Sequence, residues 1–313
     1  MNHPTTPLVP PRGSRTADEQ GDPPVRTVVD GVDVVGSLSP SRAGDFMACP
    51  LLYRYRTIDK LPEPSSPDAV RGTVVHKVLE DLFDLPAAER TSDQAAELLQ
   101  PAWEQLLEVE PAVAEMFGPE GPVIGAWLAS CRESLDRYFT LEDPTRLEPA
   151  ERELYVESLL ESKLLLRGFV DRLDIAPTGE IRVVDYKTGR SPHEAFEAKA
   201  LFQMKFYALV IWRTRGVVPR MLQLIYLGNG EVLRYTPDEA DLLATERKVE
   251  AIWAAIVRAH ETGDWRPNRS ALCGWCAHQS ICPAWGGTPP PLPPLPSGGL
   301  EEPEGGLTAE DLD

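Results

Sequence analysis

The spacing of apolar positions divides the chain into a helical first half and a mixed second half. Residues 1–35 show no steady period and are rich in Pro, Gly, Thr and charge, so a mostly disordered leader is expected. After Leu38, Ser39 or Ser41 can cap a helix with proline in its first turn, and Phe46, Cys49 and Tyr53 fall on one face. Pro50 interrupts that helix, which predicts two short helices or a kink beside Cys49. Leu61-Pro-Glu-Pro-Ser-Ser-Pro67 reads as a loop. Val75, Leu79, Leu82 and Phe83 then recur at helical spacing and predict a helix over 70–83, with His76 and Glu80 on one face. Residues 91–139 predict two or three amphipathic helices, broken near Pro111 and at 118–122. Their core positions are Trp103, Leu106, Leu107, Trp127, Leu128, Leu135, Tyr138 and Phe139.

From Glu151 the period becomes extended. Residues 151–159, 163–175 and 180–187 predict three successive antiparallel strands separated by short turns. A helix over 196–212 follows, then strands over 221–227 and 231–235, then a helix opened by an N-cap Thr236 with Pro237 in its first turn and ending near Glu261. This order predicts an α+β fold, a mixed sheet with helices packed on it. One domain is expected over 36–286, with a helical insertion at 84–140. Residues 287–313 read as a disordered, Pro-rich acidic tail with polyproline character.

No apolar run is long enough for a membrane helix, and the first residues lack a signal pattern, so a cytoplasmic protein without membrane contact is expected. The net charge of −18 argues at first against a polyanionic partner. Its location changes that reading: the leader carries −2, residues 84–125 carry −8 and the last 27 residues carry −6. The segments bearing candidate chemistry are nearly neutral, which removes the objection to nucleic acid. Basic residues cluster at Arg54, Arg56 and Lys60 and at Arg213, Arg215 and Arg220.

The five cysteines are too unevenly placed for a secreted disulfide framework. Cys273, Cys276 and Cys282 put three thiols in one short loop, and Cys49 can supply a fourth; prolines follow Cys49 and Cys282, as at many iron–sulfur ligands. Four thiolates suit structural Zn²⁺ as well. Cys131, within the helical region, reads as a buried thiol, and His278 is a low-ranked substitute ligand.

The densest chemistry lies in the hairpin 167–189. With Pro177-Thr178-Gly179 as a three-residue loop and Gly179 left-handed, Asp171 falls opposite Asp185. Directly opposed like charges are destabilising, and a divalent cation would offset them. Asp185 and Lys187 share a strand face while Tyr186 turns away. Two carboxylates and a backbone carbonyl suit Mg²⁺ or Mn²⁺, and Lys187 is placed to orient or deprotonate a metal-bound water. The bland alternative is a surface ion pair worth about 0–1 kcal/mol. Against it, lysine is scarce here, seven against 24 arginines, and the acids have apolar flanks that would partly bury them.

Gly-Thr-Val-Val-His76, Gly-Phe-Val-Asp171-Arg-Leu-Asp, Asp185-Tyr-Lys187-Thr-Gly and Gln203-Met-Lys-Phe-Tyr207, in this order, resemble the RecB-type branch of the PD-(D/E)XK nucleases. The resemblance covers about residues 38–285 and implies a restriction-endonuclease-like αβββαβ core that cuts DNA with Mg²⁺ or Mn²⁺. It implies Asp171, Asp185 and Lys187 as catalytic residues, and His76, Asp171, Asp185 and the Tyr186 carbonyl as metal ligands. Gln203 and Tyr207 would face DNA from one helix face. The cysteine layout resembles the iron–sulfur subfamily of CRISPR-associated and AddB-like nucleases, which implies a [4Fe-4S] cluster on Cys49, Cys273, Cys276 and Cys282.

The resulting expectation is an exonuclease for single-stranded DNA ends in repair or recombination. No phosphate-binding Gly-x4-Gly-Lys-[ST] stretch occurs, so any helicase would be a partner supplied in trans. Two alternatives are a non-catalytic DNA-binding or partner-docking subunit of a helicase–nuclease complex, and a zinc-stabilised interaction element.

Overall fold

The computed structural model describes residues 28–29, 31–117, 121–191 and 194–293. Most of the expected leader and tail, and residues 118–120 of the helix break expected at 118–122, lie outside the described residues. Within the leader, strands β1 (Val28–Val29) and β2 (Val32–Asp33) pair as a small hairpin about Gly31, whose φ is +79°.

Ser39 caps helix α1 (Pro40–Ala48), with its hydroxyl accepting the Arg42 N–H. Pro50 cannot continue α1, so Cys49 stays extended at φ −163° before the short α2 (Pro50–Tyr53). Residues Arg54–Ile58 continue α2 as a π-helical turn, and the thiol of Cys49 is thereby left at the corner between two helices. Helix α3 (Pro67–Leu82) starts from the Ser66 cap and buries Val70, Val74, Val75, Val78, Leu79 and Leu82. The acidic region folds as α4 (Ser92–Glu97), α5 (Leu99–Val109) and α6 (Gly121–Leu141).

The main sheet has six strands. Strand β5 (Leu164–Ile175) pairs antiparallel with β4 (Glu151–Leu159) along one edge. Its other edge is shared: β3 (Gly36–Leu38) runs parallel to residues 164–166, and β6 (Ile181–Lys187) antiparallel to residues 172–175. Helix α7 (Glu194–Arg215) crosses to β7 (Met221–Tyr226), which lies parallel to β6, and β8 (Glu231–Tyr235) closes the sheet antiparallel to β7. The order α3, β4, β5, β6, α7, β7 is the expected αβββαβ core.

Alternation along β6 and β7 feeds two cores. Val183 and Leu224 face α1, α2, α7 and α8 (Glu239–Thr262), whereas Val184, Tyr186 and Ile225 face α3, α5 and α6. Helix α7 runs inside the first core and is buried without a break from Phe206 to Ile211. Cys131 lies in the second core, where burial pushes its thiol up to about 12. One expected cap is corrected: α8 opens on Asp238, not Thr236. Asp238 accepts the Asp241 N–H at 2.8 Å and Asp241 returns the bond, a reciprocal pair that Thr236 and Pro237 could not form.

Candidate active site

The ladder between β5 and β6 ends at Arg172↔Val184. The hairpin loop has the expected form, with Gly179 at φ +91° and its N–H donating to Ala176 O at 2.8 Å, so Asp171 and Asp185 are the next residues in register. They do not form a ladder pair. The strands part there, and the Asp171 carboxylate accepts the Tyr186 N–H at 2.7 Å instead. A buried lattice braces this fork from behind: Arg172, 1% exposed, bonds the Tyr186 hydroxyl and pairs with Glu142 at 2.8 Å and Asp174 at 3.2 Å. Removing one partner of such a lattice would strand a buried charge.

Three elements bring ligand atoms to the fork. From α3, His76 approaches the Tyr186 carbonyl through Nε2 at 2.9 Å and Asp171 Oδ2 through Nδ1 at 3.6 Å. From β4 comes Glu153, which sequence reasoning missed. Among the described residues, His76, Glu153 and Asp171 form the one set of at least three His, Cys, Asp or Glu residues whose ligand atoms all lie within 4.8 Å of one another. Glu153 adopts φ +42°, a left-handed conformation unusual for a side-chain-bearing residue in a strand, and it falls opposite Asp171 in the β4–β5 register. Only the register of Glu153 was within reach of the sequence, because no glycine marks the left-handed position of the preceding turn. The β4–β5 turn spans 161–163 with Lys163 at φ +64°, so the loop rule that aligned Asp171 with Asp185 also aligns Glu153 with Asp171.

Asp185 stands beside this set rather than in it. It is 2% exposed; its Oδ1 accepts from Gln203 Nε2 at 3.0 Å, and its Oδ2 lies 2.7 Å from Lys187 Nζ. Burial pushes its carboxyl up to about 6, with Lys187 pulling against burial and Asp171 adding to it. Burial also dominates at Glu153, pushed up to about 8 with the charge of Asp171 next in weight. At Lys187 burial favours the neutral amine, yet Asp185 and Asp171 outweigh it and hold the group above the usual lysine value. Lys187 is therefore a charged donor in this arrangement. Tyr207 packs over Gly168, and burial, followed by the charge of Asp185, raises its phenol far enough to keep it neutral.

Carboxylate oxygens, an imidazole and a backbone carbonyl are a donor set suited to Mn²⁺ and, less closely, Mg²⁺. The 2.9 Å between His76 Nε2 and Tyr186 O matches two adjacent ligands of one ion with bonds of about 2.1 Å. A cleft of about 820 Å³ opens beside His76, Tyr186 and Lys187. Its walls come from α1, α3 and α7, with Asp45, Arg56, His76, Lys187, Lys199 and Gln203 among the lining residues.

Cys49, Cys276 and Cys282 come together at the C-terminal end of α1. Cys49 Sγ accepts the Asn268 N–H and Cys273 Sγ the Ser270 N–H, both at 3.4 Å. Cys276 lies close enough to Cys282 and Cys49 that, after burial, their charges raise its thiol. Direct bonds stitch the loop to the first helices: Asn268 Nδ2 to Ala48 O at 2.9 Å, Tyr55 hydroxyl to Ile281 O at 3.1 Å, and Arg54 to Pro290 O at 2.6 Å. His278 is 4% exposed and bonds Glu63 at 2.7 Å, away from a ligand role.

Residues 37–283 match the family model of the PD-(D/E)XK nuclease superfamily. The gene 69 protein of Mycobacterium phage D29 is 28% identical over 57% of this chain and 70% of its own length. The gene 69 protein of Mycobacterium phage L5 is 28% identical over 38% of this chain and 40% of its own. A crystal structure of a candidate exonuclease from Eubacterium rectale has a TM-score of 0.51, with 13% identity, 77% of this chain and 87% of that chain covered, a likeness of fold.

Proposed function

The chain belongs to the PD-(D/E)XK nuclease superfamily, and on that premise we propose that it is a RecB-type, divalent-metal-dependent deoxyribonuclease, an exonuclease on single-stranded DNA ends in repair or recombination. The observation that carries this reading is the fork between β5 and β6, where His76, Glu153, Asp171 and the Tyr186 carbonyl converge beside Asp185 and Lys187. Those four groups, with Asp185, would hold Mn²⁺ or Mg²⁺. When bound, the ion makes a coordinated water more acidic and offsets phosphate charge.

The protein's own groups do the rest. Lys187, held protonated, donates to the attacking water or to a phosphate oxygen rather than removing a proton. Gln203 fixes the Asp185 carboxylate, and the neutral Tyr207 phenol supplies a donor toward the backbone of the strand. A single strand suits the cleft because helices wall it, and a duplex would have to clear them.

The cysteines would hold a [4Fe-4S] cluster. In its favour stand the four-thiol set and the prolines that follow Cys49 and Cys282. The N–H donors on Cys49 and Cys273 sulfur are of the kind that tune such clusters. Anaerobic purification checks this reading: a brown protein with iron supports it, and colourless protein with stoichiometric zinc overturns it.

The activity test is degradation of end-labelled single- and double-stranded DNA with Mn²⁺ or Mg²⁺. Asp185→Ala and Lys187→Ala should each lower the rate by about 10²-fold or more while DNA still binds. Undiminished cleavage by either purified variant would remove that residue from the reaction.

A further inference from the structure

Most tryptophans of this protein are packed away: Trp103, Trp127, Trp253 and Trp265 are 4–9% exposed. The cysteine loop is different. Trp275, between Cys273-Gly274 and Cys276, is 84% exposed, and Trp285, just past Cys282, is 52% exposed. An indole that surrenders almost all its contact with the core contributes little to folding, so its use lies outward. Arg269 caps one face of the Trp285 ring at 4.7 Å and donates to Ala284 O, which fixes the ring while about half of the residue stays exposed.

The segment that carries these rings has no acid of its own, although Asp264 and Glu63 reach it from outside. Residues 265–286 contain Arg266 and Arg269 and no Asp or Glu, in a chain of net charge −18. Asp264 pairs with Arg266 at 2.7 Å, but Arg266 stays 82% exposed. The loop also adjoins the cleft. Arg56 lines the cleft and bonds Glu63, Glu63 bonds His278, and His278 lies three residues from Trp275. The cysteine loop is thus tied to the cleft wall through Arg56, Glu63 and His278.

We propose that Trp275 and Trp285 form a base-stacking platform for single-stranded DNA, outside the cleft and tied to its wall. The proposal rests on the nuclease reading. Every base has a π-face whatever its identity, so exposed indoles among arginines grip a strand without reading its sequence, and only unpaired bases offer those faces. A protein partner would also cover apolar rings, yet it gives no reason for the two arginines, Arg266 and Arg269, that the segment carries beside them. The platform lengthens the footprint on a strand and so favours substrates with a long unpaired end.

The test measures anisotropy of labelled oligothymidylate of about 5 and about 20 nucleotides with divalent metal chelated so that no strand is cut. The full-length wild type should bind the longer strand more tightly. Trp275→Ala or Trp285→Ala should remove about tenfold of that gain, and Trp275→Phe should keep most of it. Abasic sites in the distal half of the long strand should reproduce the loss with the wild-type protein. An unchanged gain in Trp275→Ala, or equal binding of abasic and intact strands, overturns the platform, as does a variant that loses only self-association. Wild-type protein that binds neither length overturns the nuclease reading as well, whereas binding with no gain on lengthening overturns the platform alone.

Discussion

At the scale of single residues, Glu153 decides the electrostatics of the site. Burial and the charge of Asp171 push its carboxyl up to about 8 in the folded protein, whereas in the unfolded chain it releases its proton near the ordinary value of 4.5. The fold therefore binds more protons than the unfolded chain between those values, and stability of metal-free protein falls as pH rises through that window. Asp185, raised to about 6, adds a fall of the same sign over a narrower range. Glu153→Gln should remove most of the decline above pH 6, read as denaturant midpoints in chelator at several pH values. Added Mn²⁺ should stabilise the wild type more than the variant at pH 8, because the ion replaces a proton that the variant does not carry. Parallel pH profiles for the two proteins would contradict the assignment of Glu153 to the metal set.

Among elements, the packing of α7 on β5 matters most, and Gly168 is where they approach. A Cβ there would sit 2.7 Å from Tyr207 Cε1 and 3.5 Å from Pro40 Cδ. The backbone of Gly168 needs no special conformation, so the requirement is space alone. Gly168→Ala should cost about 1–3 kcal/mol through overpacking. It should also push Tyr207 out of line, lowering cleavage more than strand binding. Full activity at unchanged thermal midpoint would show that α7 can shift at no cost.

On the scale of the whole molecule, the cysteine loop joins the two ends of the domain. It bonds α1 and the π-helical turn after α2, and α1 and that turn supply Asp45 and Arg56 to the cleft. Cys49→Ala should lose bound metal and lower the thermal midpoint by about 5–15 °C, at roughly 2–4 °C per kcal/mol for a domain of this size. Nuclease activity should fall with it because a wall of the cleft loosens. A variant that keeps its metal and its midpoint would show that Cys49 is no ligand.

The local period of the chain determined much of this protein. Apolar spacing located α3, β4 to β8 and α7, since those elements bury one face or all of it and the pattern records which. Loop geometry placed Asp171 and Asp185 in register, because a three-residue loop ending in a left-handed glycine admits one pairing. Tertiary structure alone decided that the ladder opens one pair before the acids, since β3 and β6 share an edge of β5 and the edge between them is left for the site. It alone decided that Glu153, read locally as an ordinary strand residue, turns inward at positive φ, a strain set by its neighbours and not by its own preference. The capping of α8 on Asp238 and the meeting of Cys49 with Cys276 and Cys282 were settled in the same way, by contacts that only the folded chain can make.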